Sequence, residues 1–169
     1  MRLEKLNDDN LIVFLNKIYI NKYKLSIKDN LEDYFRNLFK ILSDYYNIEI
    51  RGYYNIKIYE DNIYGFIIDI KREEIDFYNY YDDHIDMKIN IIKNNKFIFQ
   101  IDDCSLIEHN ILKYIRLLKE HKNLYFVPKK TINQYGLGYI EENCKIIYGK
   151  KAHEILDRGE YINTSKIFV

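Results

Sequence analysis

The sequence predicts an α+β fold made of two small antiparallel sheet units, each packed with a helix. Two observations along the chain predict it. A helical apolar stripe over residues 31–45 runs directly into a hairpin pattern, and an alternating pattern over residues 85–101 precedes a second helical stripe. The strands follow one another through short turns, which favours antiparallel pairing. With 47% hydrophobic residues, the 169-residue chain can bury a substantial core.

The N-terminal segment predicts two strands joined by a turn. Residues 1–6 form the first strand, with Leu3 and Leu6 as its apolar positions. Residues 7–10 are all polar and turn-prone. Residues 11–20 are apolar and rich in β-branched side chains, which predicts a second strand.

The segment after residue 30 predicts a helix followed by a hairpin. The helix spans residues 31–45 and carries one apolar stripe: Leu31, Tyr34, Phe35, Leu38, Leu42 and Tyr45. After Asn47 the apolar period changes to two, as in a half-buried strand. The alternating segment 53–59 and the return strand 63–71 flank Asp61-Asn62, which predicts a hairpin turn.

The acidic, Tyr-rich segment EEIDFYNYYDD breaks the periodicity and predicts a linker. We therefore expect three parts. Residues 1–72 form an N-terminal β-β-α-β-β domain, residues 73–84 the linker, and residues 85–169 a C-terminal β-β-α-β-α domain.

The C-terminal half also predicts a hairpin followed by a helix. Residues 85–91 and 97–101 predict a second hairpin, with its turn at residues 93–96. Ser105 and Glu108 have the spacing of a capping box, which predicts a helix through Leu118.

The remainder of that half predicts a strand, a bend and a last helix. The strand covers residues 124–127 and ends at Pro128. The glycines at residues 136 and 138 predict a bend over residues 135–138, and residues 150–158 predict the final helix. Across both halves, the predicted core is Phe35, Leu38, Leu42, Ile56, Ile58, Ile67, Ile89, Phe97, Phe99, Ile111, Ile115 and Leu118.

Composition and charge narrow the function classes. Twenty-six basic residues balance twenty-six acidic ones, whereas nucleic-acid binders usually show a basic excess. No leader-like run opens the chain and no apolar run approaches the length of a membrane span. Two distant cysteines do not make a disulfide framework. We expect a cytoplasmic protein from an AT-rich genome that uses no cofactor and binds neither nucleic acid nor a membrane.

Several residues invite a chemical interpretation, and each has a simpler one. Cys104 precedes the predicted helix, where a thiol can be activated, but a small residue there is more often packing. Asp102 and Asp103 can be paired catalytic carboxylates or acids that favour a helix N-terminus. Cys104 and His109 lack the spacing of a metal site. Cys144, among isoleucines, is predicted to be buried and inert.

The chain resembles the MecA family of adaptor proteins from Gram-positive bacteria. The opening MRLEKLND, helix 31–45 and the hairpin led by Arg51-Gly52 resemble the family's N-terminal domain. The segment KINIIKNNKFIFQID resembles part of its C-terminal domain, and INQYG at residues 132–136 resembles the family's Leu-Glu-Glu-Tyr-Gly segment. A second register places Ile140-Glu-Glu-Asn on that segment instead.

The resemblance implies a non-enzymatic adaptor that holds a substrate protein and docks on a Clp-type AAA+ protease. The partner-binding residues it suggests are Tyr135, Gly136, Glu141 and Glu142. Two alternatives stay open from the residues. One is a small hydrolase of viral or mobile-element origin that uses Cys104 or the Asp102/Asp103 pair. The other is a viral structural or interaction module.

Overall fold

The structure is a computed structural model, and it describes residues 1–22, 30–48, 50–74, 85–103, 105 and 107–163. Its strands are β1 Arg2–Asn7, β2 Asn10–Asn16, β3 Gly52–Asp61, β4 Gly65–Glu73, β5 Ile85–Ile92, β6 Ile98–Ile101, β7 Ile115–Glu120, β8 Asn123–Pro128, β9 Cys144–Ile147 and β10 Glu160–Ile162. Its α-helices are α1 Lys17–Lys22, α2 Leu31–Tyr46, α3 Gln134–Asn143 and α4 Gly149–Arg158. The predicted α+β class is confirmed.

The first sheet has the strand order β1-β2-β4-β3-β5. Strands β1 and β2 are antiparallel, with Arg2 opposite Phe14 and Leu3 opposite Val13. The predicted strand over residues 11–20 is wrong in its second part, because β2 ends at Asn16 and α1 begins at Lys17. Tertiary bonds support this break: Lys17 donates its backbone N–H to the Tyr64 carbonyl at 2.6 Å and its ammonium group to the Asn62 carbonyl at 3.1 Å.

Helix α2 covers one face of the first sheet, and the sequence explains both of its ends. The Oδ1 atom of Asn30 accepts the Asp33 backbone N–H, which caps the N-terminus. At the C-terminus Asn47 adopts φ 50° and donates its N–H to the Ser43 carbonyl. The helix buries Phe35, Leu38, Phe39 and Leu42 against Leu11, Val13, Leu15, Tyr54, Ile56, Ile58, Ile68 and Ile70 of the sheet.

The second sheet has the order β10-β7-β8-β6-β9, and each neighbouring pair is antiparallel. One core cluster joins this sheet to α4: Ile98, Leu118, Tyr125, Val127, Ile147, Ala152 and Ile155. Helix α3 packs against β9 and buries Gly136, Leu137 and Ile140. The predicted bend over residues 135–138 is wrong, because both glycines lie inside α3.

The predicted helix over residues 105–118 is also wrong. Among the described residues of this segment, a short 3-10 turn at Ile111–Lys113 leads into β7. Strand β7 lies between β10 and β8, so its backbone pairs on both sides. Leu117 and Leu118 point to opposite faces, and both are fully buried. The buried residues Ile111, Ile115 and Leu118 recur at spacings of four and three, which imitated the apolar stripe of a helix.

The predicted hairpin between residues 85–91 and 97–101 is wrong as well. Strand β5 pairs with β3 at the edge of the first sheet, whereas β6 lies inside the second. The connecting backbone bonds elsewhere: Asn95 donates its N–H to the Glu60 carbonyl and Phe97 to Oδ2 of Asp61. These bonds to residues distant in sequence replace those of a local hairpin.

The chain divides into two compact units. The first contains Met1–Leu15, Tyr19–Ile58 and Phe66–Ile92, and the second contains Asn16–Ile18, Tyr59–Gly65 and Lys93–Val169. The turn between β3 and β4 thus belongs to the second unit, and β5 belongs to the first. The predicted linker over residues 73–84 lies outside the described residues except for its first two, so the domain boundaries stay a prediction.

The predicted core agrees with the observed burial at every position except Ile89, which is half-buried. Ile89 lies on β5, which forms an edge of its sheet and therefore has a neighbouring strand on one side only. The alternating pattern correctly predicted that Ile56 and Ile58 of β3 face inward, and the helical stripe did so for Phe35, Leu38 and Leu42 of α2 but not for Tyr45, which is exposed.

Candidate functional site

Helix α3 carries all four residues that the sequence suggests as partner contacts. Its N-cap is Asn133, whose Oδ1 accepts the Gly136 N–H at 3.0 Å. Tyr135 and Glu142 are exposed, and their spacing of seven residues places them two turns apart on one side of the helix. Gly136 is buried, and a Cβ there would lie 2.8 Å from Cγ1 of Ile132. A small residue at this position is thus required by packing.

Glu141 faces away from that exposed side and is bound within the second unit. Its Oε1 accepts the phenol O–H of Tyr64 at 2.6 Å and the Asn16 amide N–H at 3.0 Å. Oε2 accepts the same amide group at 3.2 Å. Both carboxylate oxygens therefore have protein donors, and the structure gives Glu141 a part in holding α3 in place.

The exposed side of α3 combines aromatic and acidic groups. The Tyr135 phenol donates to Oε2 of Glu108 at 2.8 Å, and this bond, ahead of desolvation and nearby charge, raises the pKa of Tyr135. The Tyr139 ring lies 6.2 Å from the Tyr135 ring, which is within the range of aromatic contact. We call Glu108, Tyr135, Tyr139 and Glu142 the α3 surface. It presents tyrosine rings, a residue type enriched at protein interfaces, beside two carboxylates that suit the polar rim of such an interface.

A second candidate lies beside α2 in the first unit. An apolar groove with a volume of about 170 Å³ is lined by Met1, Leu15, Tyr19, Tyr34, Asn37, Leu38 and Ile41, and we call it the α2 groove. Its one amide side chain is Asn37. Burial, with a smaller contribution from Tyr19, raises the pKa of Tyr34 to about 12, so the ring lies in poorly hydrated surroundings.

The apolar character continues beyond the groove along α2. Ile41 is 43% exposed, and Tyr45, one turn further on, is 81% exposed. Sequence patterning assigned Tyr34, Leu38 and Tyr45 to the core stripe and did not single out Ile41. The sequence does contain a sign of this surface, because Ile41 makes the apolar face of α2 wider than the stripe that packs against the sheet.

The residues considered for catalysis are not assembled into a catalytic group within the described part of the chain. Asp102 and Asp103 are exposed, and the Ser105 N–H bonds Oδ1 of Asp103 at 2.9 Å and lowers the pKa of that carboxyl. Cys144 is buried, and desolvation, followed by the charge of Asp102, raises its thiol pKa to about 12. Cys104 lies outside the described residues. Among those described, no three His, Cys, Asp or Glu side chains converge as they would to hold a metal ion.

The raised pKa of Cys144 and the lowered pKa of Asp103 limit the catalytic roles that these two groups can have. A nucleophilic thiol needs a lowered pKa, and Cys144 has a raised one. A general acid near neutral pH needs a raised carboxyl pKa, and that of Asp103 is lowered. At neutral pH Cys144 is thus not prepared to act as a nucleophile, nor Asp103 as a general acid, and Asp103 serves as a local acceptor in its turn.

Comparison of the chain with models of known families, with curated proteins and with solved structures found no match. Within the described residues, no helix combines the length and the apolar character needed to cross a bilayer.

Proposed function

We propose that this protein is a non-enzymatic protein-binding adaptor, and that the α2 groove receives a nonpolar side chain of a protein partner. The observation that carries this proposal is the groove itself: an open, largely apolar depression beside exposed Ile41. Exposed apolar surface that a fold leaves uncovered commonly marks an interaction site.

The size of the groove limits its occupant. A dry cavity of about 150 Å³ can take up a benzene molecule. A groove of about 170 Å³ therefore has room for one aromatic or branched aliphatic side chain. Interfaces often depend on one such anchor surrounded by weaker contacts. Asn37 in the groove lining supplies an amide that can bond the partner backbone, and the exposed Tyr45, one turn beyond Ile41 on α2, offers a further aromatic contact.

The α3 surface supplies the second contact that an adaptor needs. It belongs to the other compact unit, so the protein carries one candidate surface on each. The resemblance to MecA adaptors suggests a Clp-type AAA+ ATPase as the partner at α3 and a substrate protein at the groove. Glu142 and Tyr135 are the expected α3 contacts. Glu141 acts by supporting the helix, because its carboxylate is already bonded.

The test is capture of partners by the full-length protein from its native cell extract, with bound proteins identified by mass spectrometry. We expect an ATPase among them, with a dissociation constant in the micromolar range, about −8 kcal/mol. Ile41→Asp should remove the substrate protein and retain the ATPase. Glu142→Lys should remove the ATPase and retain the substrate.

Matched variants control for surface charge. Lys40→Asp changes an exposed neighbour of Ile41 that does not line the groove, and Asp157→Lys changes an exposed acid on α4. Both controls should bind both partners normally. Loss of binding in the controls, or retention in Ile41→Asp and Glu142→Lys, would contradict the assigned surfaces. Capture of no ATPase would reject the adaptor proposal, and a turnover abolished by Cys104→Ala or Asp103→Ala would replace it with an enzyme.

A further inference from the structure

We propose that the second unit contains a binding site for a monoanionic carboxylate, formed around Arg116. The site is a cavity of about 80 Å³ whose polar lining residues are Asp61, Lys96, Arg116 and Tyr161. All of them belong to the second unit, so the proposal is independent of the α2 groove. A cavity of this size exceeds what one water molecule needs by several-fold and fits a small polar group.

Arg116 is held in an orientation that suits carboxylate binding. Its guanidinium carbon lies 4.8 Å from the centre of the Tyr161 ring, so the ring covers one face of the cation. Stacking of this kind leaves the in-plane N–H donors available, and their fork matches the two oxygens of a carboxylate. Within the described part of the chain, no acidic side chain forms an ion pair with Arg116, and none does so with Lys96.

Asp61 contributes a negative charge to the cavity lining, and its own hydrogen bonds are made with backbone N–H groups. Its Oδ1 accepts the N–H groups of Ile63 and Tyr64, both at 2.7 Å, and Oδ2 accepts that of Phe97 at 3.0 Å. Asp61 is 8% exposed, and both of its carboxylate oxygens are bonded to backbone N–H groups. The aspartate thus closes the β3–β4 turn, and none of these hydrogen bonds uses Lys96 or Arg116.

The balance of charge and polarity selects the ligand class. Lys96 and Arg116 against Asp61 leave one positive charge in the lining, which one carboxylate neutralises. A phosphate monoester carries about −1.5 to −2 charges at pH 7 and would leave the lining with an excess of negative charge. The other walls include Val127, Pro128 and Ile63, which favour an apolar group attached to the carboxylate. Two sources share this chemistry: a small aliphatic acid and the C-terminal residue of a peptide.

The test is a titration of the ¹⁵N-labelled full chain followed by NMR. The probes are isobutyrate, an N-acetylated tripeptide ending in valine with a free carboxylate, the same tripeptide as its C-terminal amide, and inorganic phosphate. We expect the NMR signals of the Arg116 side-chain N–H and the Tyr161 backbone amide to shift with isobutyrate and with the tripeptide acid. Neither the amidated tripeptide nor phosphate should shift these signals. Tenfold tighter binding of the tripeptide acid would assign a chain terminus as the ligand, and equal binding would assign a small acid.

Two substitutions connect the binding to the cavity. Arg116→Gln should weaken carboxylate binding at least tenfold, and Lys96→Gln should weaken it several-fold. Lys119→Gln is the matched control, because Lys119 is an exposed cation on the same strand that does not line the cavity. Unchanged amide spectra away from the site will establish that each variant is folded. The proposal is overturned if no probe shifts the signals of Arg116 and Tyr161, or if the amidated tripeptide or phosphate binds as tightly as the tripeptide acid. It is also overturned if Lys119→Gln weakens carboxylate binding as much as Arg116→Gln does.

Discussion

The phenol of Tyr64 donates a hydrogen bond of 2.6 Å to Oε1 of Glu141, across 77 residues of sequence. Tyr64 lies in the turn between β3 and β4 and is fully buried, with Phe97 and Phe99 around its ring. Glu141 lies near the end of α3. This one bond therefore joins the β3–β4 turn to the helix that carries the proposed partner surface.

Removing the Tyr64 hydroxyl should destabilise the second unit while leaving its packing intact. Tyr64→Phe retains the ring and leaves the Glu141 carboxylate without its shortest bond, so we expect a loss of about 1.5–3 kcal/mol. Urea denaturation followed by circular dichroism measures it. Tyr45→Phe, at an 81% exposed tyrosine, is the control and should change stability by less than about 0.5 kcal/mol. Equal effects of the two variants would contradict the structural role of the bond.

The burial of Ile111 predicts a large cost for its truncation. Ile111 is fully buried just before β7, so Ile111→Ala removes three methylene equivalents and should cost about 2–5 kcal/mol. Ile91 on edge strand β5 is 41% exposed, and Ile91→Ala should cost less than about 1 kcal/mol. The shift of the urea midpoint measures both. A shift below the equivalent of half a kcal/mol for Ile111→Ala would show that its burial contributes little.

The raised pKa of the Asp69 carboxyl predicts that this group favours the folded state more at low pH than at neutral pH. Burial raises the pKa of this carboxyl, and the nearby Lys57 and Lys71 only partly oppose it. The folded state thus holds the proton more tightly than the unfolded state. The corresponding stability is present below the unfolded pKa, about 3.9, and is lost as the pH rises through the raised folded value.

Asp69→Asn should therefore stabilise the protein at pH 7. The gain should stay below about 1 kcal/mol, because solvent screens a half-exposed charge. Denaturation at pH 7 and at pH 3 measures the difference, which should shrink at the lower pH. Glu142→Gln, an exposed acid, should show no such trend. Destabilisation by Asp69→Asn at pH 7 would mean that attraction to the two lysines outweighs burial.

The raised pKa of Cys144 predicts a thiol that does not react in the folded protein. A pKa of about 12 against the ordinary value of 9.0 lowers the thiolate fraction at pH 8 by about 1,000-fold. In the Cys104→Ser variant, iodoacetamide should modify Cys144 at least about tenfold more slowly in buffer than in concentrated urea, because the higher nucleophilicity of a thiolate of raised pKa offsets only part of the lower thiolate fraction. Mass spectrometry over time gives both rates. Comparable rates in the two solvents would show that the thiol is not buried.

Local chemistry in the sequence was sufficient for much of the first unit. The stripe on α2, its left-handed stop at Asn47 and the alternation along β3 are each specified by residues close together in the chain. Of the core residues that periodicity predicted, all but Ile89 are buried, because a side chain's direction follows from its position in a helix or a strand. The sequence likewise placed the four suggested contact residues in one short segment, which the structure shows to be α3.

Other features were decided only by the tertiary structure, because they depend on bonds between distant residues. Residues 115–120 form a strand because β8 and β10 both pair with them. Strands β5 and β6 do not form a hairpin because β5 pairs with β3, whereas β6 pairs with β8 and β9. The role of Glu141 depends on Tyr64 and Asn16, and the α2 groove depends on Met1 and Tyr19 lying beside Tyr34. Periodicity reports which side of an element is apolar but does not report its partner. Strand pairing and burial supplied the free energy that selected these partners.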